Sequence, residues 1–185
     1  MFLNSPMAID MTDIYHRHRT EHRLSIEECS GMCKVAKMVR TVEESRALNG
    51  LRYPAVIVSA SGMTTGGRVL HHLKALAPDR RNAIVFAGYQ AGGTRGARLV
   101  AGERSVRIHG EDVAVNAEVV SLQGMSAHAD ARQLVQWLGT APTPPRSVHV
   151  THGEPAAADA LRQRIERELG WECRLPYYLE SVTLD

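Results

Sequence analysis

Two histidines stand where a metal or phosphate site is expected. His152 follows an alternating apolar run that ends at Val150, so it lies at the carboxyl end of a predicted strand, just before a helix that begins at Pro155. Open α/β sheets bind ligands at that end of their strands. A neutral imidazole can ligate a metal ion there, and Gly153 lets another group approach the backbone closely. The alternative is a hydrogen-bonded loop histidine without a ligand, which the spacing alone leaves open.

His128 comes just before a predicted helix, because Asp130 and Gln133 have the spacing of a capping box. The positive end of a helix favours phosphate. If protonated, His128 would act there as a general acid and donate its proton to a leaving oxygen. The electric field of the helix favours the neutral imidazole, whereas a nearby carboxylate or phosphate would favour the charged imidazolium. The sequence therefore leaves both protonation states of His128 open.

Two loops rich in Ser, Thr and Gly follow predicted buried strands, at residues 59–67 and 88–94. Neither loop has the spacing of a Walker A or dinucleotide fingerprint. Such loops still offer backbone N–H groups to phosphates. The candidate phosphate or RNA contacts are Ser59, Ser61, Gly62, Thr65, Arg68, Thr94 and Arg95.

Two other clusters are incomplete metal motifs. Segment 16–22 resembles His-x-His-x-Asp-His, but Thr20 replaces the aspartate and the last histidine comes one residue late, so it is interpreted as a solvated helix face. Cys29 and Cys33 could join His22 on zinc. No second pair completes a four-ligand set, which favours a partly buried pair of thiols.

Residues 124–128 also resemble the Gly-x-Ser-x-Gly nucleophile elbow, without its last glycine. Ser126 would need His152 as its base and a carboxylate from Asp130 or Asp159. A serine hydrolase is therefore a weak alternative.

The composition is that of a packed globular protein. The 185 residues are 44% hydrophobic and 23% charged, which excludes disorder, collagen-like repeats and coiled coils. No apolar run approaches the ~20 residues of a membrane span, and the first residues lack the basic start of a signal peptide. Three cysteines suit a reducing compartment, so we expect a cytoplasmic protein with no membrane partner.

Charge divides the chain into unlike halves. Residues 1–110 carry 16 Lys and Arg against 9 Asp and Glu, whereas residues 111–185 carry 6 against 11. A basic half favours a polyanionic partner, because cations that neutralise phosphates release counterions. A solvated basic surface is the alternative.

Periodicity and end signals predict the elements that position these residues. Helices are predicted at 7–19, 41–49, 68–76, 130–139 and 155–169, and strands at 54–58, 83–87, 148–150, 173–175 and 182–184. Alternating runs over 105–122 predict a hairpin or meander. Strand, helix and strand in succession imply an α/β fold with a parallel sheet.

Four segments in order carry a family resemblance. Residues 59–67, 87–94, 126–130 and 151–154 together resemble the metallo-β-lactamase/β-CASP nucleases, which include the pre-mRNA 3′-end cleavage nuclease and bacterial and archaeal RNA-processing exonucleases. The resemblance runs from Phe2 to Asp185. It implies a parallel-sheet β-CASP lid domain over 1–122, with its N-terminal end missing. Residues 123–185 would be the C-terminal segment of an αββα metallo-β-lactamase sandwich.

The same resemblance implies roles for the histidines. His128 corresponds to the family's general acid and His152 to a zinc ligand, with Ser126, Asp130 and Glu154 as supports that orient them. DNA-processing relatives carry valine at the position of His152, so the histidine indicates RNA. The implied function is hydrolysis of RNA phosphodiester bonds.

The family's other metal-binding motifs are absent from these 185 residues. The complete site would hold two Zn²⁺ ions, to which this chain offers at most one ligand, so alone it is expected to bind them poorly and not to cleave. The competing hypothesis is a non-catalytic RNA-binding or oligomerising fragment. Besides RNA, a homodimer is an expected partner, because a segment without its partner strands exposes apolar surface.

Overall fold

The computed structural model describes residues 1–122, 124–125 and 128–183. The chain forms two compact units, Met1–Met125 and Ser126–Asp185. Within the described ranges, no helix combines the length and the apolar character that crossing a lipid bilayer requires.

A parallel three-stranded sheet opens the first unit. Its strands are β1 (Phe2–Leu3), β2 (Lys37–Met38) and β3 (Ile57–Val58), in the order β2-β1-β3. Phe2 lies opposite Lys37 on one side and Ile57 on the other. Parallel neighbours cannot be joined by tight turns, so helices make the crossovers.

Three helices with side-chain caps supply these crossovers. They are α1 (Pro6–Arg17), α2 (Ile26–Lys34) and α3 (Val42–Leu48). Ser5 caps α1, and Thr41 with Glu44 forms a full capping box at α3, so both predicted helix starts are confirmed. Helix α2 was not predicted from the sequence, although Ser25 and Glu28 form the same kind of box.

The predicted helix across segment 16–22 is wrong beyond Arg17, where α1 ends. The chain then turns back, and the ring of His22 stacks on Tyr15 with centroids 4.0 Å apart. The Nε2 atom of His22 also lies 3.3 Å from the Tyr15 carbonyl oxygen. These contacts hold the turn against the last turn of α1, so the segment is not one solvated helix face.

The rest of the first unit alternates helices and strands. The elements are α4 (Val69–Leu76), β4 (Ala83–Phe86), α5 (Arg95–Val100), β5 (Ser105–Ile108), β6 (Glu111–Ala114) and β7 (Glu118–Ser121). β5 and β6 pair antiparallel around His109 and Gly110, whose φ angles are 50° and 84°. Two positive φ values are typical of the type I′ turn, whose twist suits a hairpin.

The third alternating run does not extend this hairpin into a meander. β7 pairs in parallel with β4, from Ala83 opposite Glu118 to Phe86 opposite Ser121. Val119 of β7 thereby packs against the main core. The predicted hairpin is confirmed, and the meander alternative is wrong. Burial of the apolar side chains of β7 against the core favours pairing with the distant strand β4 over pairing with the adjacent strand β6.

One apolar core joins these elements. It consists of Leu70, Leu73, Ala77, Phe86, Leu99, Val106, Ile108, Val113 and Val115. The helices contribute one face each and the hairpin contributes alternate residues, as an amphipathic pattern requires.

A buried polar network sits beside this core at the end of β1. Asn4 is fully buried, and its amide nitrogen lies 2.7 Å from Ser45 Oγ and 2.6 Å from His72 Nε2. Its amide oxygen accepts a hydrogen bond of 2.7 Å from Arg68. On the other side of the ring, His72 Nδ1 lies 2.6 Å from Asn49 Oδ1. A neutral ring that accepts from Asn4 must carry its proton on Nδ1 and donate it to Asn49.

The second unit is smaller. Its elements are α6 (Ala131–Leu138), β8 (Val148–His149), α7 (Pro155–Leu169) and β9 (Cys173–Arg174). β8 and β9 pair in parallel, and the buried residues are Val135, Ile165 and Cys173. α7 ends at Leu169, as predicted, and Gly170 follows it in the left-handed conformation with a φ of 69°. No strand forms at 182–183, and Leu184 lies outside the described residues.

His72 should make the stability of the first unit depend on pH. Burial, with lesser effects from His71 and Arg68, holds the pKa of His72 below its usual value of 6.5. Below that pH the unfolded chain takes up a proton that the folded site resists, so we expect the free energy of unfolding to fall on acidification. Above pH 6.5, His72 should not make the free energy of unfolding depend on pH.

The check is urea denaturation at several pH values, followed by far-ultraviolet circular dichroism. His72→Gln removes the titrating ring, so the slope below pH 6.5 should shrink. His71→Gln, at an exposed neighbouring position of the same helix, is the matched control and should keep most of the slope, because it removes only a lesser cause of the lowered pKa of His72. Equal slopes in wild type and His72→Gln would contradict the assignment.

Candidate functional site

The first glycine loop, residues 59–67, is organised around Ser61. Its hydroxyl accepts from the backbone N–H groups of Thr65 at 3.1 Å and Gly66 at 3.4 Å. Ser59 donates to the Asn4 carbonyl oxygen at 3.1 Å, which ties the loop to the end of β1. The loop is therefore stabilised by its own internal hydrogen bonds. The N–H groups of Thr65 and Gly66 already donate to Ser61 and are not available to a phosphate.

The second glycine loop, residues 88–94, lies against the first. Thr94 caps α5 with its hydroxyl, and Gly96 donates its N–H to the Met63 carbonyl oxygen at 3.1 Å. Gly96 is buried, and a side chain there would collide with Gln90 and approach Met63. The structure thus brings the two loops together, although the strands before them, β3 and β4, belong to different sheets.

Arg68 and Arg95 direct their guanidinium groups at backbone oxygens. Arg68 donates to the carbonyl oxygens of Val39 at 2.9 Å and Arg40 at 2.7 Å, in addition to its bond to Asn4. Arg95 donates to the Arg107 oxygen at 2.6 Å and reaches the first glycine loop. Arg95 thus supports the first glycine loop, whereas Arg68 ties the start of α4 to the residues that follow β1 and β2. These bonds occupy donors that a phosphate would otherwise use.

An apolar cavity of about 500 Å³ adjoins the first glycine loop and is lined by residues of β3 and β4. Ser59, Ser61 and Gly62 lie on its wall. β1 bonds to the Val56 and Val58 carbonyls, so the backbone groups of Ile57 point to the other edge of β3. Across the described part of the chain, that edge and the edge of β4 away from β7 have no strand partner.

His128 is exposed and lies two residues before the cap of α6. Asp130 accepts from the Gln133 N–H at 2.7 Å, and the Gln133 side chain accepts from the Asp130 N–H at 2.9 Å. The predicted capping box is therefore confirmed. One carboxylate oxygen of Asp130 serves the helix end, and Ser126 lies outside the described residues.

His152 lies in the loop between β8 and α7, as predicted, and is exposed. Its φ of 62° is left-handed, which is unusual for a residue with a side chain. A Cβ atom added at Gly153 would lie 3.1 Å from the Ala158 Cβ atom, so the glycine allows the loop to pack on α7. Glu154 occupies the cap position of α7 without a side-chain cap bond.

The described residues do not by themselves build a zinc site around these histidines. Zinc needs three or four protein ligands. Among the residues that the structure describes, the one group of three His, Cys, Asp or Glu side chains close enough to share an ion is His16, Cys29 and Cys33. His128 and His152 are not in it, and the histidine beside the two cysteines is His16, not the predicted His22.

Comparison with protein families gives two matches along the chain. The Beta-Casp domain model matches residues 1–99. The model described as the Zn-dependent metallo-hydrolase RNA specificity domain matches residues 112–176, which include both His128 and His152.

Curated relatives have names of two kinds. Ribonuclease TTHA0252 of Thermus thermophilus is 39% identical over 188 residues, which is 98% of this chain and 42% of that protein. Transcription termination factor FttA of Pyrococcus abyssi is 38% identical over 136 residues, which is 71% of this chain and 21% of that protein. The chain thus spans less than half the length of these relatives.

Gly67 should be essential for the shape of the first glycine loop. Its φ is +79°, and an added Cβ atom would lie 2.6 Å from the Ala60 carbonyl oxygen. We expect Gly67→Ala to lower the free energy of unfolding by about 1–3 kcal/mol, measured by urea denaturation. Gly62→Ala in the same loop is the matched control, because nothing lies within 4 Å of its added Cβ. Equal effects of the two variants would refute this role.

Proposed function

The chain belongs to the Beta-Casp family, and on that premise we propose that it is part of a zinc-dependent ribonuclease that hydrolyses RNA phosphodiester bonds. The match of residues 112–176 to an RNA specificity domain carries the proposal. The ribonuclease relative supports it as well, because the similarity extends over 98% of this chain.

The proposed domain assignment follows the order of these matches. Residues 1–122 are the β-CASP lid, and residues 123–185 return to complete the metallo-β-lactamase sandwich. The apolar cavity with two unpartnered strand edges supports the view that further polypeptide completes the lid. The chain matches only 42% of the length of the ribonuclease and 21% of the length of the termination factor, which agrees with that view.

The proposed catalytic roles belong to two exposed loops of the second unit. His128 holds a proton and delivers it to the departing oxygen of the RNA chain. His152 is a ligand of the two-zinc site in the complete protein, where bound zinc supplies an activated water. Asp130, Glu154 and Ser126 orient the two rings. Since one ligand is too few for zinc, these residues alone should neither hold that pair of ions nor cleave RNA.

The competing proposal is RNA binding without cleavage. The termination factor of Pyrococcus abyssi is a reason to keep this alternative, because it is 38% identical to this chain and the ribonuclease is 39% identical. A cleavage assay on the complete protein with a labelled RNA separates the two, since only the ribonuclease produces shorter fragments at a rate that depends on His128.

Substitution of the two histidines in the complete protein should have different effects. We expect His152→Ala to lower zinc content together with activity, and His128→Ala to lower turnover by about 10²–10⁴-fold with zinc retained. Zinc is measured by atomic emission and turnover with labelled RNA. His71→Ala, exposed on α4, is the control and should change neither quantity. Equal loss of zinc in both variants would contradict the division of roles.

RNA affinity should fall steeply with salt if the basic first half contacts the phosphates. The logarithm of the association constant should decrease linearly with the logarithm of salt concentration. Arg95→Gln should reduce that slope by about one if Arg95 contacts a phosphate. The control is Arg164→Gln, which lies in the acidic half and is paired with Glu168, and which should not change the slope. A flat response in the wild-type protein would show that the basic half does not face RNA.

A further inference from the structure

We propose that His16, Cys29 and Cys33 form a zinc site that joins helices α1 and α2. His16 lies in the last turn of α1, and both cysteines lie on α2. One potential ligand atom from each residue lies within 4.8 Å of the other two. Neither the family matches nor the relatives' names assign these residues a role.

The distances are close to those of a tetrahedral zinc ion. The Cys29 Sγ atom lies 3.9 Å from His16 Nδ1, and the Cys33 Sγ atom lies within 4.8 Å of both. With Zn–S bonds near 2.3 Å and Zn–N bonds near 2.0 Å, tetrahedral ligands are about 3.5–3.8 Å apart. Side-chain movements of up to about 1 Å would therefore bring the three atoms onto one ion.

The donor types select the metal. Two thiolates and an imidazole are soft and borderline ligands, which favour zinc over magnesium or calcium. The spacing Cys-x₃-Cys within one helix lies in the range that zinc sites use. Cys29 is fully buried, while His16 and Cys33 are half-buried, so an ion can enter from the solvent side of the pair.

The poor apolar packing of these helices gives an independent reason for a metal. Ile9 is the buried residue of α1, and Cys29 is the buried residue of α2. Several apolar side chains of the pair stay exposed, among them Met11 at 57% and Ile26 at 53%. Burial of so little apolar surface contributes little to holding α2 in place. An ion bound by both helices would supply a contact that their side chains lack.

Two further side chains near the site are not counted as ligands. Asp13 acts on the Cys33 thiol electrostatically, but its carboxylate is paired with Arg40 at 2.6 Å. His22 is stacked on Tyr15 and its Nδ1 atom is buried without a hydrogen-bond partner among the described residues, but its ring is not in the group of three close ligand atoms. Three protein ligands thus remain for the ion, and a water molecule completes the tetrahedron.

Cobalt(II) titration of the reduced chain tests the site, because thiolate ligands give cobalt a charge-transfer band in the near ultraviolet. We expect one equivalent to produce the band and zinc to displace it. Loss of an outer-shell partner of a metal ligand costs 10–100-fold in affinity, so loss of a ligand in Cys33→Ser or His16→Ala should cost at least about 100-fold. Zinc should also raise the thermal unfolding midpoint of the wild-type chain but not of Cys33→Ser.

Matched controls separate this site from other thiols and histidines. Cys173→Ser removes the remaining cysteine, His18→Ala changes a histidine next to the end of α1, and His152→Ala removes the proposed catalytic ligand. All three should keep the cobalt band. Circular dichroism identifies any variant that fails to fold. Absence of the band in the reduced wild-type chain, or a band of undiminished affinity in Cys33→Ser, would overturn the proposal.

Discussion

The buried amide of Asn4 is the constraint on which the first unit depends. Its carboxamide bonds to Ser45 of α3 and to His72 and Arg68 at the start of α4, while its backbone carbonyl accepts from Ser59. A buried polar group without a partner costs about 1–3 kcal/mol, so these elements must stay in register with the end of β1. The first glycine loop is held at this edge of the sheet because it begins at Ser59, next to that network.

The use of arginine in the same region limits how this surface can bind phosphate. Arg68 and Arg95 both donate to carbonyl oxygens, so their charges are held in fixed positions but their donors are partly occupied. Planar guanidinium groups suit this bracing because they form several bonds in a fixed geometry. Recognition of phosphate by this surface thus requires either the remaining donors or basic residues beyond the loops.

The second unit combines a small core with satisfied helix ends. Its buried residues are Val135, Ile165 and Cys173, and partly buried apolar residues such as Leu161 and Trp171 pack against them. Asp130 at the start of α6 and Gly170 at the end of α7 satisfy backbone groups there. The loop with His128 ends at such a capped helix start, whereas the loop with His152 ends at α7, whose cap residue Glu154 makes no side-chain cap bond. A complete metal site needs ligands that these two loops do not supply.

The sequence by itself determined the helix ends at Thr41, Asp130 and Gly170, because a capping residue acts on backbone within four positions. The order of its short motifs also indicated the family, which the comparisons confirm. Only the tertiary structure decided that β7 pairs with β4, that His16 rather than His22 lies beside the cysteines, and that Arg68 binds carbonyls. Those contacts join residues up to tens of positions apart, and they depend on how whole helices and strands pack, which no local pattern encodes.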